Sequence, residues 1–171
     1  FHFSRGASDL AVLKRAHRLM QQHLATQWNS RAADLPLATP YEALILASIV
    51  EKETGKAADR AMVASVFVNR LRVNMRLQTD PSVIYGMGDD YSGTLRRRDL
   101  QADTPWNTYT RAGLPPTPIA MPGLASIQAA LNPADSKMLY FVARGDGSSQ
   151  FSRTLEEHNA AVNKYLRSGK R

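Results

Sequence analysis

The sequence contains no cysteine, which excludes disulfide bonds and thiolate chemistry. It also has no long hydrophobic run, since its most apolar stretch, residues 43–50, falls well short of the roughly 18 to 20 apolar residues that a membrane span needs. No charged-then-apolar leader opens the chain, so we expect that any targeting or anchoring segment has been removed or lies upstream of Phe1. We therefore expect these residues to form a soluble unit.

Patterns typical of metal and phosphate sites are missing as well. The histidines are scattered without metal-ligand spacing or an accompanying acidic cluster: His2, His17, His23 and His158. No glycine-rich phosphate loop occurs, because Gly145-Asp146-Gly147 is typical of a turn, and no nucleophile, base and acid have the arrangement of a triad. We expect neither a metal nor a cofactor.

The chain does have enough apolar residues for a core. Its 171 residues are 43% hydrophobic, which is typical of one globular domain, and we expect a single domain over residues 1–171. The formal net charge of +7 favours an anionic partner such as nucleic acid, a phospholipid surface or carboxylate-bearing peptides. The sign of the charge does not choose among them, and the run Arg96-Arg97-Arg98 is typical of a solvated face.

Apolar residues at spacings of three and four predict a mostly helical fold. We expect helices at residues 9–28, 40–54, 59–72, 124–131 and 154–166. Strand patterns at residues 138–143 and 150–153, with a glycine-rich turn between them, predict a β-hairpin. The fold class is therefore α+β, mostly helical, with a small antiparallel sheet.

Local signals mark some element ends and leave others open. Thr39-Pro40, with Glu42 at capping-box spacing, marks the start of the second helix. Residues 83–85 fit either a short helix or a strand. The proline-rich stretch 103–123 is either a long ordered loop or a flexible linker, and its aromatic and apolar residues favour an ordered loop.

The second predicted helix carries a carboxylate on its apolar face. At about 100° per residue, one stripe of this helix holds Leu46, Ile49, Val50 and Glu53. Removing water from a carboxyl group penalises its ionised form and raises its pKa, toward the range in which it can protonate a leaving group. Glu53 is thus a candidate general acid. Glu51 lies about 200° around the helix, so the two acids are not a carboxylate pair.

A structural explanation of Glu53 stays open at this point. Amphipathic stripes often end in a charged residue at a solvated helix end. Glu53 could also pair with an arginine such as Arg60 or Arg70. The helical pattern alone does not decide between these readings and the catalytic one.

Several segments together resemble one known family. They are residues 46–54 (LASIVEKET), 63–71 (VASVFVNRL), 75–86 (MRLQTDPSVIYG), 107–109 (NTY) and 113–119 (GLPPTPI). In order and spacing they resemble the endolytic murein transglycosylases of the MltG or YceG-like family. The likeness extends over nearly the whole chain, and the LQTDP motif is its most specific part.

The resemblance implies a periplasmic enzyme at the inner membrane. It implies an N-terminal membrane helix and a module similar to a LysM domain, both outside this sequence. It further implies peptidoglycan glycan strands as substrate, with cell-wall synthesis proteins as candidate partners. In that family the second glutamate of the Glu-Lys-Glu-Thr motif is the acid/base catalyst, which is Glu53 here and is also the residue that the helical stripe indicates.

The implied reaction explains how one carboxylate can suffice. Ordinary glycosidases need a second carboxylate to activate water or to form a covalent intermediate. A lytic transglycosylase lets the C6 hydroxyl of MurNAc attack its own C1, which leaves a 1,6-anhydro end. We expect Glu53 to protonate the oxygen between MurNAc and GlcNAc and then, as a carboxylate, to take the proton from that hydroxyl.

Candidate substrate-binding residues supply neutral hydrogen-bonding groups and aromatic faces of the sort that hold sugars: Gln78, Thr79, Asp80, Tyr85, Asn107 and Tyr109. Each also has a structural explanation. Asp80 before Pro81 is a common turn starter, Asn107 can satisfy loop backbone, and Tyr85 can belong to the core. The resemblance favours Gln78, Asp80 and Asn107 first, and of these Gln78 and Asn107 are the better candidates for binding substrate.

Three other functions compete with this one. A muramidase would cut the same bond with water and release a product heavier by one water. A non-catalytic scaffold would only hold peptidoglycan on its basic surface. A nucleic-acid binder would explain the charge through strongly salt-dependent affinity, but the sequence has no recognisable nucleic-acid motif, and we expect no such partner.

Overall fold

The computed structural model describes residues 3 and 5–167, so His2 lies outside the described part of the chain. The regular elements are α1 (Asp9–Asn29), α2 (Pro40–Glu53), α3 (Arg60–Arg72), α4 (Asp80–Met87), α5 (Arg97–Gln101), α6 (Leu124–Leu131), β1 (Tyr140–Ala143), β2 (Ser149–Ser152) and α7 (Leu155–Val162). Single turns of 3-10 helix at Ala57–Asp59 and Gly88–Asp90 and a π-helical turn at Asn163–Arg167 complete them. The α+β prediction is confirmed.

Helix α2 is the centre of the core. Its apolar side chains Leu46, Ile49 and Val50 are fully buried, and α2 packs against α1, α3, α4 and α6. Phe67 of α3 and Ile127 of α6 contribute to the same core cluster. Burial of each such side chain is worth roughly 1.5–3 kcal/mol, so α2 is anchored in the core by its apolar face. Glu53 is the final residue of that helix.

The capping signals in the sequence set the helix starts. Thr39 accepts a hydrogen bond from the Glu42 amide at 3.2 Å, and Pro40 occupies the first turn of α2. The Glu42 carboxylate accepts from the Ala38 amide, one residue before the cap. Thr154 caps α7 in the predicted capping box. These bonds satisfy amides that a helix start would otherwise leave unpaired.

The small sheet is the predicted hairpin. Strands β1 and β2 are antiparallel, with Tyr140 opposite Ser152 and Phe141 opposite Phe151. Phe141 meets Phe67 edge to face, with ring centroids 5.9 Å apart. The hairpin therefore covers α3, and its first strand also contacts α7.

Some local predictions need correction. The stretch 83–85 is helical, as part of α4, and the helix α5 directly after Arg96 was not predicted. The α-helical part of the last helix ends at Val162, short of residue 166. Helix α1 has the predicted length, but Leu10 and Leu13 on its apolar stripe are exposed. Only the second half of that helix packs on the core, through Met20, Leu24 and Trp28.

Residues 103–123 form an ordered loop held by specific bonds. The Trp106 indole donates to Thr117 Oγ1 at 2.9 Å. The Ile119 amide donates to Ser48 Oγ of α2, also at 2.9 Å. The loop is thereby attached to the central helix, on which Glu53 lies.

In the described part of the chain, no helix combines the length and the hydropathy that crossing a membrane requires.

Candidate active site

Glu53 opens into a cleft of about 400 Å³ between the helices, the LQTDP segment and the hairpin. The walls of this cleft are formed by Phe67, Arg70, Leu77, Gln78, Asp80, Tyr109, Tyr140, Phe141, Leu155 and His158. Glu53 as a residue is partly buried and lines this cleft, so it lies neither at a fully solvated helix end nor in the closed core.

The surroundings of Glu53 favour its protonated form. Burial raises the pKa of the Glu53 carboxyl, and the negative charge of Asp80 raises it further. A hydrogen bond from Thr79 and the positive charge of Arg70 oppose that rise, but the net pKa shift is upward. This carboxyl group can therefore hold a proton at a pH where an exposed glutamate has lost it.

Arg70 approaches Glu53 without pairing with it. Its guanidinium donates to the carbonyl oxygens of Leu139 at 2.6 Å and Leu77 at 2.7 Å. Within residues 5–167 no ion pair joins Arg70 or Arg60 to Glu53. Arg70 thus ties α3 to the two chain segments that flank the cleft, and the ion-pair explanation of Glu53 has no support in the structure.

Glu51 and Glu53 occupy different environments, as their helical angles indicate. Glu51 accepts bonds from the Gly123 amide at 3.0 Å and from the Ser126 hydroxyl at 2.6 Å. These bonds, the Ser126 bond foremost, lower the pKa of the Glu51 carboxyl. Glu51 therefore holds the start of α6, away from the cleft.

Three of the candidate substrate-binding residues line the cleft beside Glu53: Gln78, Asp80 and Tyr109. Gln78 has a backbone φ of 49°, in the left-handed region, and its side chain is exposed. Such a conformation is unfavourable for a residue with a side chain and persists where the surrounding structure imposes it. The backbone amide of Gln78 donates to the backbone carbonyl of Thr108 at 3.1 Å, which attaches this segment to the loop 103–123.

Asp80 and Tyr109 form a hydrogen-bonded pair in the cleft. The Tyr109 hydroxyl donates to Asp80 Oδ1 at 2.5 Å. Burial and then the Asp80 carboxylate raise the pKa of the Tyr109 hydroxyl well above its usual range. Tyr109 is therefore a neutral donor under ordinary conditions.

The other three candidates are placed differently. Thr79 is 1% exposed and donates its hydroxyl hydrogen to Glu53 Oε1. Asn107 is 0% exposed, and its amide group donates to the carbonyl oxygens of Leu100 and Ala102. Tyr85 is 46% exposed and meets the Trp106 ring edge to face at 5.6 Å, outside the cleft lining.

Part of the cleft comes from residues that the sequence did not single out for this site. Tyr140 and His158 stack with ring centroids 5.2 Å apart, and the Arg70 guanidinium lies 5.3 Å from the Tyr140 ring centroid. Burial, and secondarily the Arg70 charge, lower the pKa of the His158 imidazole. Arg70 did have a signal in the sequence, because it is a charged residue at helical spacing from the apolar Val66 and Phe67. No comparable signal marks Tyr140 or His158, because only the packing of the hairpin on α7 brings them here.

The chemistry available in this cleft is proton transfer. It contains one carboxyl group with a raised pKa, a second carboxylate and several neutral donors. Over the described residues, no group of three or more histidine, aspartate or glutamate side chains could hold a metal ion.

Comparison with known proteins gives consistent matches. The model of the YceG-like family matches residues 1–164. An endolytic murein transglycosylase of Bacillus subtilis (strain 168) is 46% identical over 128 residues, which cover 75% of this chain and 35% of the relative. An endolytic murein transglycosylase of Streptococcus pneumoniae serotype 2 is 36% identical over 135 residues, covering 76% of this chain and 24% of the relative.

A solved structure shares the fold. The crystal structure of a YceG-like protein from Listeria monocytogenes is 43% identical, with a TM-score of 0.67. The match covers 82% of this chain and 42% of that one. The chain thus corresponds to about a third or less of the two curated relatives and to under half of the solved one.

Proposed function

The chain belongs to the YceG-like family, and from this we propose that it is the catalytic part of an endolytic peptidoglycan lytic transglycosylase with Glu53 as its acid/base catalyst. The substrate is a glycan strand, cut at the β-1,4 bond between MurNAc and GlcNAc. The observation that carries the proposal is the Glu53 carboxyl group, which lies in a cleft and has a raised pKa. The two curated relatives named as murein transglycosylases support the substrate class.

The proposed reaction uses one carboxyl group twice, first as an acid and then as a base. Protonated Glu53 donates to the glycosidic oxygen as the bond from that oxygen to C1 breaks, and GlcNAc leaves with a free hydroxyl group. The C6 hydroxyl of MurNAc then bonds to C1 and gives its proton to the Glu53 carboxylate. The product carries a 1,6-anhydroMurNAc end, no water is consumed, and Glu53 returns to its initial state.

The rest of the cleft would hold and orient the sugars. Gln78 and Tyr109 offer neutral polar groups beside Glu53. In this proposal the negative charge of Asp80 would stabilise the positive charge that develops at C1. Asn107 and Thr79 would act from inside the protein rather than by touching the strand, because both are buried.

A hydrolytic muramidase is the second candidate, and Asp80 is the observation that favours it. A carboxylate in the same cleft as the acid could activate a water molecule, as in inverting glycosidases. Its Oδ1 already accepts from Tyr109, which leaves less of the carboxylate for a water. We rank this reaction below the intramolecular one for that reason.

Digestion of purified glycan strands in water enriched in ¹⁸O separates the two reactions. The lytic transglycosylase would yield anhydro ends that are lighter by one water and free of ¹⁸O. Products that carry ¹⁸O at a reducing end would refute the lyase proposal and favour the muramidase.

The cellular setting rests on the family resemblance. We propose that the protein acts at the periplasmic face of the inner membrane and has cell-wall synthesis proteins as partners. An anchor helix and a LysM-like module would lie outside this sequence. The much greater length of the relatives is compatible with such segments. Membrane fractionation of the full-length protein tests it, because recovery in a soluble fraction would contradict an anchor.

A further inference from the structure

Thr79 has a specific relationship to the proposed catalyst. Its side chain is buried, and its hydroxyl donates to Oε1 of Glu53. Among residues 3 and 5–167, no other protein group donates a hydrogen bond to that carboxyl group, and Oε2 of Glu53 is not among the buried atoms without a partner. The two oxygens of Glu53 therefore differ: one is held from inside the protein, and the other remains for the cleft.

A buried network holds the backbone of Thr79 in place and leaves its hydroxyl group to Glu53. The Thr79 amide donates to Thr108 Oγ1 at 3.0 Å, and Ser82 Oγ donates to the Thr79 carbonyl at 2.8 Å. Ser82 has one hydroxyl hydrogen, which this bond uses. In the 2.8 Å contact between Ser82 and Thr108, the hydrogen must then come from Thr108. Both neighbouring hydroxyl hydrogens are thus used within this network. Thr79 is 1% exposed, and among the described residues its hydroxyl hydrogen has Glu53 Oε1 as its only acceptor, so Thr79 donates and Oε1 accepts.

We infer that Thr79 is a positioning residue that selects which oxygen of Glu53 carries the catalytic proton. Since Oε1 accepts from Thr79, the proton of neutral Glu53 sits on Oε2, where it can reach the glycosidic oxygen. After that transfer, Oε1 keeps its bond to Thr79 and Oε2 takes the proton of the attacking C6 hydroxyl. Oε2 therefore gives one proton and then receives another. This inference rests on the proposed function of Glu53.

The bond also adjusts how strongly Glu53 holds its proton. A donor stabilises the ionised carboxylate more than the neutral acid, so Thr79 lowers the pKa of Glu53 against the larger effect of burial. Removing the hydroxyl should therefore have two effects of different kinds. The reaction should slow because the proton is no longer confined to Oε2, and the pKa of Glu53 should rise.

The test compares Thr79→Val, which removes the hydroxyl at nearly constant volume, with Thr79→Ser, which keeps it. We expect Thr79→Val to lower kcat by roughly 10- to 100-fold, the range for a lost hydrogen bond to a charged group. Its activity should also persist to higher pH, because the raised pKa keeps Glu53 protonated to higher pH. Thr79→Ser should restore both the rate and the position of the alkaline limb.

Thr104→Val is the matched control, because Thr104 Oγ1 is buried and has no hydrogen-bond partner among the described residues. Its pH profile should match that of the wild type. A Thr79→Val enzyme with a wild-type rate and pH profile would overturn the inference. A Thr79→Ser enzyme as impaired as Thr79→Val would overturn it too, because that result indicates packing rather than the hydroxyl.

If Thr79→Val does not fold, Thr79→Ala serves in its place with the same expected pH profile. Glu53→Gln, assayed alongside the Thr79 variants, distinguishes failure of this inference from failure of the proposed function. Should Glu53→Gln retain cleavage, the acid/base role itself fails. Should Glu53→Gln abolish cleavage while the Thr79 variants keep the wild-type profile, only the role of Thr79 fails.

Discussion

The Tyr109 hydroxyl donates to Asp80 Oδ1 at 2.5 Å, and this bond holds a second carboxylate in the cleft that Glu53 enters. Asp80 belongs to the start of α4 and Tyr109 to the loop 103–123, so the bond closes one side of the cleft. The charge of Asp80 raises the pKa of Glu53. Loop, helix and proposed catalyst are therefore coupled electrostatically.

Asp80→Asn should shift the alkaline limb of the pH profile of glycan cleavage to lower pH. The proposed acid works while Glu53 is protonated, so activity falls as pH rises through the pKa of that carboxyl group. Removing the negative charge of Asp80 favours ionised Glu53 and lowers its pKa. A pH profile of kcat/KM checks this, with the exposed Asp89→Asn as control. An alkaline limb that stays in place or moves upward would contradict the coupling.

Asn107→Ala should destabilise the protein. Asn107 donates to two carbonyl oxygens and accepts from the Tyr109 amide at 2.8 Å. Loss of these three hydrogen bonds should lower the free energy of unfolding by about 2–4 kcal/mol, because the two carbonyl groups and the Tyr109 amide then remain buried without a partner. Urea titration measures this, with the exposed Asn159→Ala as control. Unchanged stability together with a raised KM would instead support the substrate-binding role that the sequence favours.

Much of the centre of the fold follows from local patterns. The stripe of Leu46, Ile49 and Val50 predicts both the buried face of α2 and the position of Glu53 at its end. The caps at Thr39 and Thr154 likewise predict helix starts, because each depends on residues three positions apart. Each of these patterns depends on residues within one short segment, so the sequence alone is enough to predict them.

The details of the cleft depend on contacts between distant segments and could not be predicted in this way. Polar residue type made Thr79 and Asn107 candidates for binding sugars, yet their neighbours in the fold bury both. The exposure of Leu13 was likewise not predictable, because the side chains of α1 that pack on the core cluster are Met20, Leu24 and Trp28, in the later part of the helix. Tyr140 and His158 join the cleft only through the pairing of the hairpin and its contact with α7.

Glu51→Gln should weaken the protein near neutral pH but not in acid. The pKa of Glu51 is lowered in the fold, chiefly by the hydrogen bond from Ser126. The ionised Glu51 carboxylate therefore stabilises the native state at pH values above 4.5, the usual pKa of the group. That contribution disappears as pH falls through the lowered pKa. We expect a loss of about 1 kcal/mol at neutral pH, modest because the carboxylate is partly exposed.

Chemical unfolding of the Glu51→Gln variant and the wild type at several pH values provides the measurement. The control is Glu156→Gln, at an exposed residue of α7. A difference in unfolding free energy that is equally large in acid would show that shape, rather than charge, holds the start of α6.

The most direct test of the central claim is the cleavage of purified glycan strands by Glu53→Gln. Glutamine nearly matches the shape of glutamate but carries no transferable proton, so we predict that cleavage falls by roughly 10²- to 10⁴-fold while the strands still bind. Glu156→Gln should cleave as the wild type does. A folded Glu53→Gln enzyme that releases anhydro products at a rate within a few-fold of the wild type would contradict the account.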